Sequence, residues 1–351
     1  MSAARRTLGR RSALTLVWGV VAFFAGQFVL GIAVEHWLPV ARDPEYTAKV
    51  ERLRARLAES PGRPLVLVLG SSRAEMGLCP GALGTGPDGK RPLVFNFGLT
   101  GGGSFLQAVS LRRLLAEGVR PDLLVIEVLP PTLNQPGGHP LEEEWFDAAR
   151  LRCSETTFLR HYHSDAKRPL RQWLKGRVPS VWHREKLRRA LPLDPPSWAA
   201  TDRICDTLDD YGWLCHSEDE VTPEKQRFTS DGAFRQYGAA WGEFRLAEGP
   251  SRALADMLTW CRQRGIPVAL LLMPEGPSFR AHYAPSMRAG IDAHLRALQQ
   301  RCGVPLIDAR EWLPEEDFWD SHHLLPRGAV AFTARFEHEA LAPLLRRFVY
   351  K

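Results

Sequence analysis

The sequence predicts an α/β protein: a three-layer α/β/α sandwich around a five-stranded, doubly wound parallel sheet, with an N-terminal transmembrane helix and a mainly helical insertion. Three observations carry that reading. Short continuous apolar runs alternate with amphipathic stretches at the front and back of the chain, the middle breaks the alternation, and an uncharged apolar run of membrane-spanning length stands near the start. With 44% apolar and 25% charged residues in 351, the composition is that of a chain able to bury a substantial core.

Arg5, Arg6, Arg10 and Arg11 precede an uncharged, mostly apolar run from Ser12 to Val34. At about 1.5 Å per residue, such a helix crosses a hydrocarbon core of about 30 Å. Four arginines before it and Glu35 after it orient the span: residues 1–11 form a cytoplasmic tail, 12–38 an anchor, and the rest lies outside the cytoplasm, periplasmic or at the cell surface. A cleaved signal peptide is the alternative, against which stand the length of the run and the lack of a small-x-small cleavage site after it. The Arg10-Arg11 pair is only a weak match to a twin-arginine export signal. A formal charge of +6 suits anionic partners, yet no zinc-finger spacing, basic heptad helix or aromatic-basic signature accompanies it, so nucleic acid is not an expected partner. The six cysteines contain no C-x-x-C, which argues against a structural zinc site. Cys205 and Cys215 are spaced to close a short loop; Cys79, Cys153, Cys261 and Cys302 read equally as buried free thiols.

Beyond the anchor, Ala48 to Glu59 reads as a helix ended by Pro61 and Gly62. Leu65 to Leu69, Leu93 to Phe97 and Leu123 to Leu129 are apolar runs of strand length, as strands buried on both faces require. Between the second and third, Ser104 to Gly118 has helical periodicity. The alternation resumes with a helix over Ser251 to Arg264, a strand over Pro267 to Met273, a helix over Ala284 to Arg301, a short strand over Val304 to Ile307 and a last helix from Pro326 to Arg347. Residues 39–131 and 250–351 therefore form one right-handed, doubly wound domain, and 132–249 the insertion. Its basic run from Lys167 to Arg189 is either a solvated helical face or a platform for an anionic polymer or headgroup.

In open α/β sheets, ligands gather beyond the carboxyl ends of the strands. There stand Gly70-Ser71-Ser72-Arg73, Gly98 to Gly103 and Asp320-Ser-His-His323. A serine hydroxyl becomes nucleophilic when an imidazole takes its proton, and a carboxylate on the other ring nitrogen fixes the tautomer. Asp320 and His323, three apart on one tight turn, supply both groups. Ser72 at a helix start lies near backbone N–H groups, and Gly101 can bring a second one close to a developing oxyanion.

These residues carry a resemblance. Gly70-Ser-Ser72-Arg resembles the Gly-Asp-Ser-Leu block of the SGNH, or GDSL, hydrolases, Asn96-Phe-Gly-Leu-Thr-Gly101 their second block, and Asp320-Ser-His-His323 their Asp-x-x-His block before the final helix. It covers residues 62–131 and 250–349. It implies a flavodoxin-like sandwich, Ser72 as nucleophile, His323 as base, Asp320 as its partner, Ser72 and Gly101 N–H groups as oxyanion donors, and neither cofactor nor metal. Two departures stand against it: Ser71 occupies the place of the family's aspartate, and Glu127-Val-Leu-Pro-Pro-Thr132 replaces its Gly-x-Asn-Asp block. Asn134 is the nearest substitute for the missing third oxyanion donor. Such losses are similar to those of membrane-anchored SGNH proteins that acylate or deacylate cell-envelope polymers, as in alginate acetylation and teichoic-acid D-alanylation. That likeness implies an envelope polysaccharide, glycan or lipid substrate and a membrane-bound acyltransferase as donor partner.

Plainer readings compete. Ser71 and Ser72 are also good helix caps, His322 rivals His323 as the base, and Gly98 to Gly103 could be a dinucleotide loop, although no acidic residue clearly closes a second strand about 20 residues later. Asp308 and Glu311 lack a helical histidine pair to hold a metal with them; His161 and His163 read as ordinary polar residues; Glu275 either lines the pocket or is a surface residue. At the level of function, the rivals to an esterase or acyltransferase are a catalytically silent, anchored binding module and a nucleotide-binding α/β protein.

Overall fold

A computed structural model describes residues 2–84, 91–176, 178–184, 187 and 207–350. The helices are α1 (Ser2–His36), α2 (Pro39–Arg42), α3 (Pro44–Glu59), α4 (Ser72–Gly77), α5 (Ser104–Ala116), α6 (Leu141–Trp145), α7 (Cys153–Leu159), α8 (Arg168–Lys175), α9 (Pro179–Trp182), α10 (Pro223–Gln236), α11 (Glu248–Gln263), α12 (Pro277–Arg280), α13 (Pro285–Cys302), α14 (Pro326–Phe336) and α15 (Ala342–Phe348). The strands are β1 (Leu65–Gly70), β2 (Leu93–Gly98), β3 (Leu123–Glu127), β4 (Val268–Leu272) and β5 (Leu306–Asp308). The chain divides into two compact units, one of Met1–Thr47, Asp147–Arg160 and Lys167–Asp202, the other of Ala48–Phe146, His161–Ala166 and Arg203–Lys351. The segment 132–249 thus contributes to both units.

In the larger unit the five strands are all parallel, in the order β2-β1-β3-β4-β5. Because β1 sits between β2 and β3, the chain leaves β1 to one side and returns to the other, so the loops after β1 and β3 diverge at a topological switch point. The first four strands are buried along their whole length, which is why each reads as an unbroken apolar run rather than an alternating one. On one face Val66, Val68, Val94, Val125, Ala269 and Leu271 pack with Phe332, Phe336 and Leu344 of α14 and α15. On the other, α5 packs on β1 and against α11. Helices therefore cover both faces, as a three-layer sandwich requires.

Some boundaries differ from expectation for local reasons. β3 stops at Glu127 rather than Leu129, since Pro130 and Pro131 open a 3-10 turn that cannot continue a ladder. β5 starts two residues late because Gly303, with φ +66°, caps α13 in the left-handed region and Pro305 follows. The last helix is continuous but contains a π-turn over Glu337–Leu341 between α14 and α15.

In the smaller unit, Ala13–His36 of α1 is the one helix among the described residues long and apolar enough to cross a membrane, with a mean hydropathy of 2.1. The chain turns at its end: Arg42 donates to the Glu35 carbonyl at 2.6 Å, and Arg150 pairs with Asp43 at 2.8 Å and Glu45 at 2.9 Å. Cys79 and Cys261 are buried free thiols, whereas Cys153 is exposed and Cys302 half-buried, contrary to expectation. The Cys205–Cys215 pairing involves Cys205, which lies outside the described residues.

Candidate active site

β1 ends at Gly70, and the next two serines take different tasks. Ser71 is the N-cap of α4: its Oγ accepts the Arg73 N–H at 3.1 Å, while its own N–H and hydroxyl donate to Glu127 at 2.5 and 3.1 Å. Burial pushes the Glu127 carboxyl up from its ordinary value, opposed by Arg73 and by the Ser71 hydrogen bonds. The capping explanation of the serine pair thus holds for Ser71. Ser72 is the first residue of α4, half-buried, and its Oγ lies 2.8 Å from His323 Nε2.

The imidazole comes from the turn before α14. The Asp320 carboxylate accepts the His323 N–H at 2.7 Å and the His322 N–H at 3.2 Å, and its Oδ2 lies 2.8 Å from His323 Nδ1. With Nδ1 protonated toward Asp320, the Nε2 lone pair faces the Ser72 hydroxyl. Burial opposes ionisation of Asp320, but the adjoining His323 and His322 rings outweigh it and hold the carboxyl well below the usual range. His322 is the wrong histidine for a base. It is buried, stacked on Phe279 with ring centroids 5.3 Å apart and edge-on to Tyr237, and burial followed by the neighbouring His323 pushes it down to about 4. It stays neutral near pH 7.

Side chains remote in sequence hold this turn. Ser321 has φ +63°, the one positive φ outside glycine among the described residues, so its conformation needs support. Its carbonyl accepts the Gly276 N–H at 2.7 Å, and its hydroxyl meets Ser230 Oγ at 3.0 Å and the Glu315 carboxylate. From the same face of α10, Gln226 donates to the carbonyls of Glu315 and Phe318, each at 2.7 Å, and Thr229 to that of Trp319 at 2.9 Å. Positions 226, 229 and 230 recur at helical spacing, a polar stripe visible in the sequence but without an assignable partner there.

The second glycine turn folds against the first. Leu99 N–H donates to the Gly70 carbonyl at 3.0 Å, and a Cβ on Gly102 would stand 2.6 Å from that oxygen, so the backbones meet only because residue 102 is glycine. Gly101 has φ +68°. Among the described residues, neither the Ser72 nor the Gly101 N–H enters a hydrogen bond, which leaves both available to an oxyanion. Asn134 does not join them. Its amide donates to the Ala240 carbonyl at 2.8 Å and faces that of Glu243, its oxygen accepts the Arg245 N–H at 2.8 Å, and it is fully buried holding those loops together.

Other candidates have structural employment. Glu275 neither lines a pocket nor faces solvent: it is buried in an ion pair with Arg73 at 3.1 Å and accepts the Tyr283 hydroxyl at 2.8 Å. Asp308 and Glu311 pair with Arg310 and Arg288. His163 is buried against Phe105, and His161 is exposed. Ligand atoms of Asp320, His322 and His323 lie within 4.8 Å of one another, the grouping among the described residues best able to hold a metal, but those atoms already face each other and Ser72.

A family model matches residues 247–344, from α11 to α15. No curated protein matches the chain. Among solved structures, a protein described as an acylhydrolase from Bacteroides fragilis is similar at 13% identity and a TM-score of 0.36, over 85% of this chain and 98% of its own. A GDSL-like lipase from Bacteroides thetaiotaomicron aligns at 11% identity and a TM-score of 0.34, over 83% of this chain and 96% of its own. An acetyl-xylooligosaccharide esterase from Geobacillus, in mutant form, aligns at 12% identity and a TM-score of 0.33, over 82% of this chain and 95% of its own. Likeness at that level carries no argument about chemistry, which rests on the site itself.

Proposed function

We propose that this chain is a serine esterase or O-acyltransferase. The observation that carries the reading is the line of two contacts, Ser72 Oγ to His323 Nε2 and His323 Nδ1 to Asp320 Oδ2, each 2.8 Å long. His323 takes the hydroxyl proton as Ser72 Oγ attacks an ester carbonyl, Asp320 stabilises the resulting imidazolium, and the Ser72 and Gly101 N–H groups receive the oxyanion. The leaving alcohol takes the proton back from His323, and an acyl group remains on Ser72. A water or an acceptor hydroxyl, deprotonated in turn by His323, then removes the acyl group, and His323 returns the proton to the departing Ser72 Oγ. Water gives hydrolysis and a sugar hydroxyl gives transfer.

The finer reading follows the resemblance to SGNH proteins and the N-terminal apolar helix. We place the site outside the cytoplasm on a membrane anchor, with an envelope polysaccharide, glycan or lipid as substrate and a membrane-bound acyltransferase as acyl donor. One observation favours a catalytically silent binding module instead: with Asn134 engaged elsewhere, two backbone donors replace the three of the family pattern. Turnover of p-nitrophenyl acetate separates the readings. The esterase account expects hydrolysis by the full chain that disappears in Ser72→Ala; no turnover by wild type, or equal turnover by both, contradicts it.

A further inference from the structure

We infer that α8 and α9 form a foot embedded in the outer leaflet of a lipid bilayer alongside α1, seated on acyl chains and headgroup phosphates. This rests on reading Ala13–His36 as a retained membrane anchor, and it adds a second, non-spanning contact to it.

The first observation is where α1 is covered. Residues 13–26 are all exposed, and then Gln27, Leu30, Gly31 and Val34 become progressively covered along one helical face. The cover comes from the insertion. Ser180 N–H donates to Gln27 Oε1 at 3.2 Å, Leu187 joins Leu30, Val34, Leu38 and Ala41 in a hydrophobic cluster, and Trp173 and Pro179 share a small cavity with Gly31 and Val34. At about 1.5 Å per residue, Gln27 lies about 13 Å below the end of α1 at His36, inside a hydrocarbon core about 30 Å thick. A segment touching α1 there is itself at the depth of the outer leaflet.

The second observation is what that segment turns outward. Pro169 and Trp173 form the buried stripe of α8, whereas Leu170 and Leu174, also four apart, are 44% and 52% exposed. Val181, next to the residue that reaches Gln27, is 59% exposed. In water these side chains would gain nothing from their positions; at lipid depth each adds apolar burial. Lys175, one position on from Leu174, is exposed with a long apolar stem that lets its charge reach phosphate. Trp37, 72% exposed directly after α1, suits the interface level.

The test uses the full chain reconstituted in phosphatidylethanolamine and phosphatidylglycerol vesicles containing a phospholipid with a diazirine in its acyl chain. After irradiation, mass spectrometry locates the labelled peptides. The foot predicts lipid adducts on residues 13–26 and also on Leu170, Leu174 and Val181. It further predicts that Leu170→Glu/Leu174→Glu lowers labelling of α8 about tenfold, less than the full penalty for a charge at the bilayer centre, while α1 labelling and ester turnover stay unchanged. Adducts confined to α1 overturn the foot and leave the anchor standing. A mature chain whose mass lacks α1 overturns both.

Discussion

Asp320→Asn isolates the part of the site that geometry makes most specific. The carboxylate faces two fixed backbone donors, the His323 and His322 N–H groups at 2.7 and 3.2 Å, and the His323 Nδ1 at 2.8 Å. An amide of the same shape must turn its oxygen toward the backbone donors, which cannot change role, so its NH2 faces Nδ1. His323 then adopts the other tautomer and presents an N–H to Ser72, with no lone pair left to take the hydroxyl proton. Where an orienting carboxylate has been made an amide in a serine protease, the loss is on the order of 10⁴-fold, or about 5 kcal/mol of barrier. The rate constant for fluorophosphonate labelling, followed by intact mass, measures it directly, with thermal unfolding as the check on folding. A folded variant slowed by less than about tenfold, or about 1.4 kcal/mol, would refute the tautomer argument.

Other outcomes follow from neighbouring contacts. Thr229→Val/Ser230→Ala removes two hydrogen bonds on the His323 turn, each worth about 1 kcal/mol. It should lower kcat for p-nitrophenyl acetate several-fold with KM unchanged; an equal change in KM would point to substrate contact instead of positioning. Arg73→Met leaves Glu275 buried without its ion-pair partner and should cost about 3–5 kcal/mol in urea unfolding; adding Glu275→Gln should recover part of that, and strict additivity would deny the coupling. The Glu142 carboxyl, buried at the N-terminus of α5, is pushed up from 4.5 to about 8. A raised acid stabilises the fold fully below its unfolded value and loses that contribution as pH rises through the folded one. Glu142→Gln should therefore unfold at a higher temperature relative to wild type at pH 9 than at pH 5, and a pH-independent difference would contradict the shift.

Much of the fold was legible because each of the first four strands is buried on both faces and therefore continuous in apolar character, with helices punctuated by proline and glycine. Ser72, Asp320 and His323 were legible for a different reason: each follows a strand or precedes a helix, so its place in the fold follows from its place in the chain. Asn134 misled because proximity in sequence to the end of β3 does not show which carbonyls an amide will meet after the chain turns. Glu275 misled because a charged residue past a strand normally faces solvent, and only the fold reveals that Arg73 is buried with it. Gln226, Thr229 and Ser230 were visible as a polar stripe, yet the carbonyls and the Ser321 hydroxyl they meet lie about 90 residues away. Glu127 read merely as a departure from a motif, whereas it ties down the turn that presents Ser72.

The central claim is that Ser72 carries the acyl group between donor and acceptor. Quenching the full chain in acid during turnover of an activated ester and mapping its peptides tests this most directly. The account predicts an acyl mass increment on the peptide containing Ser72, abolished by Ser72→Ala and, because His323 takes the Ser72 proton during acylation, lost also when His323 is replaced by alanine. Continued ester turnover with Ser72 never modified would contradict it.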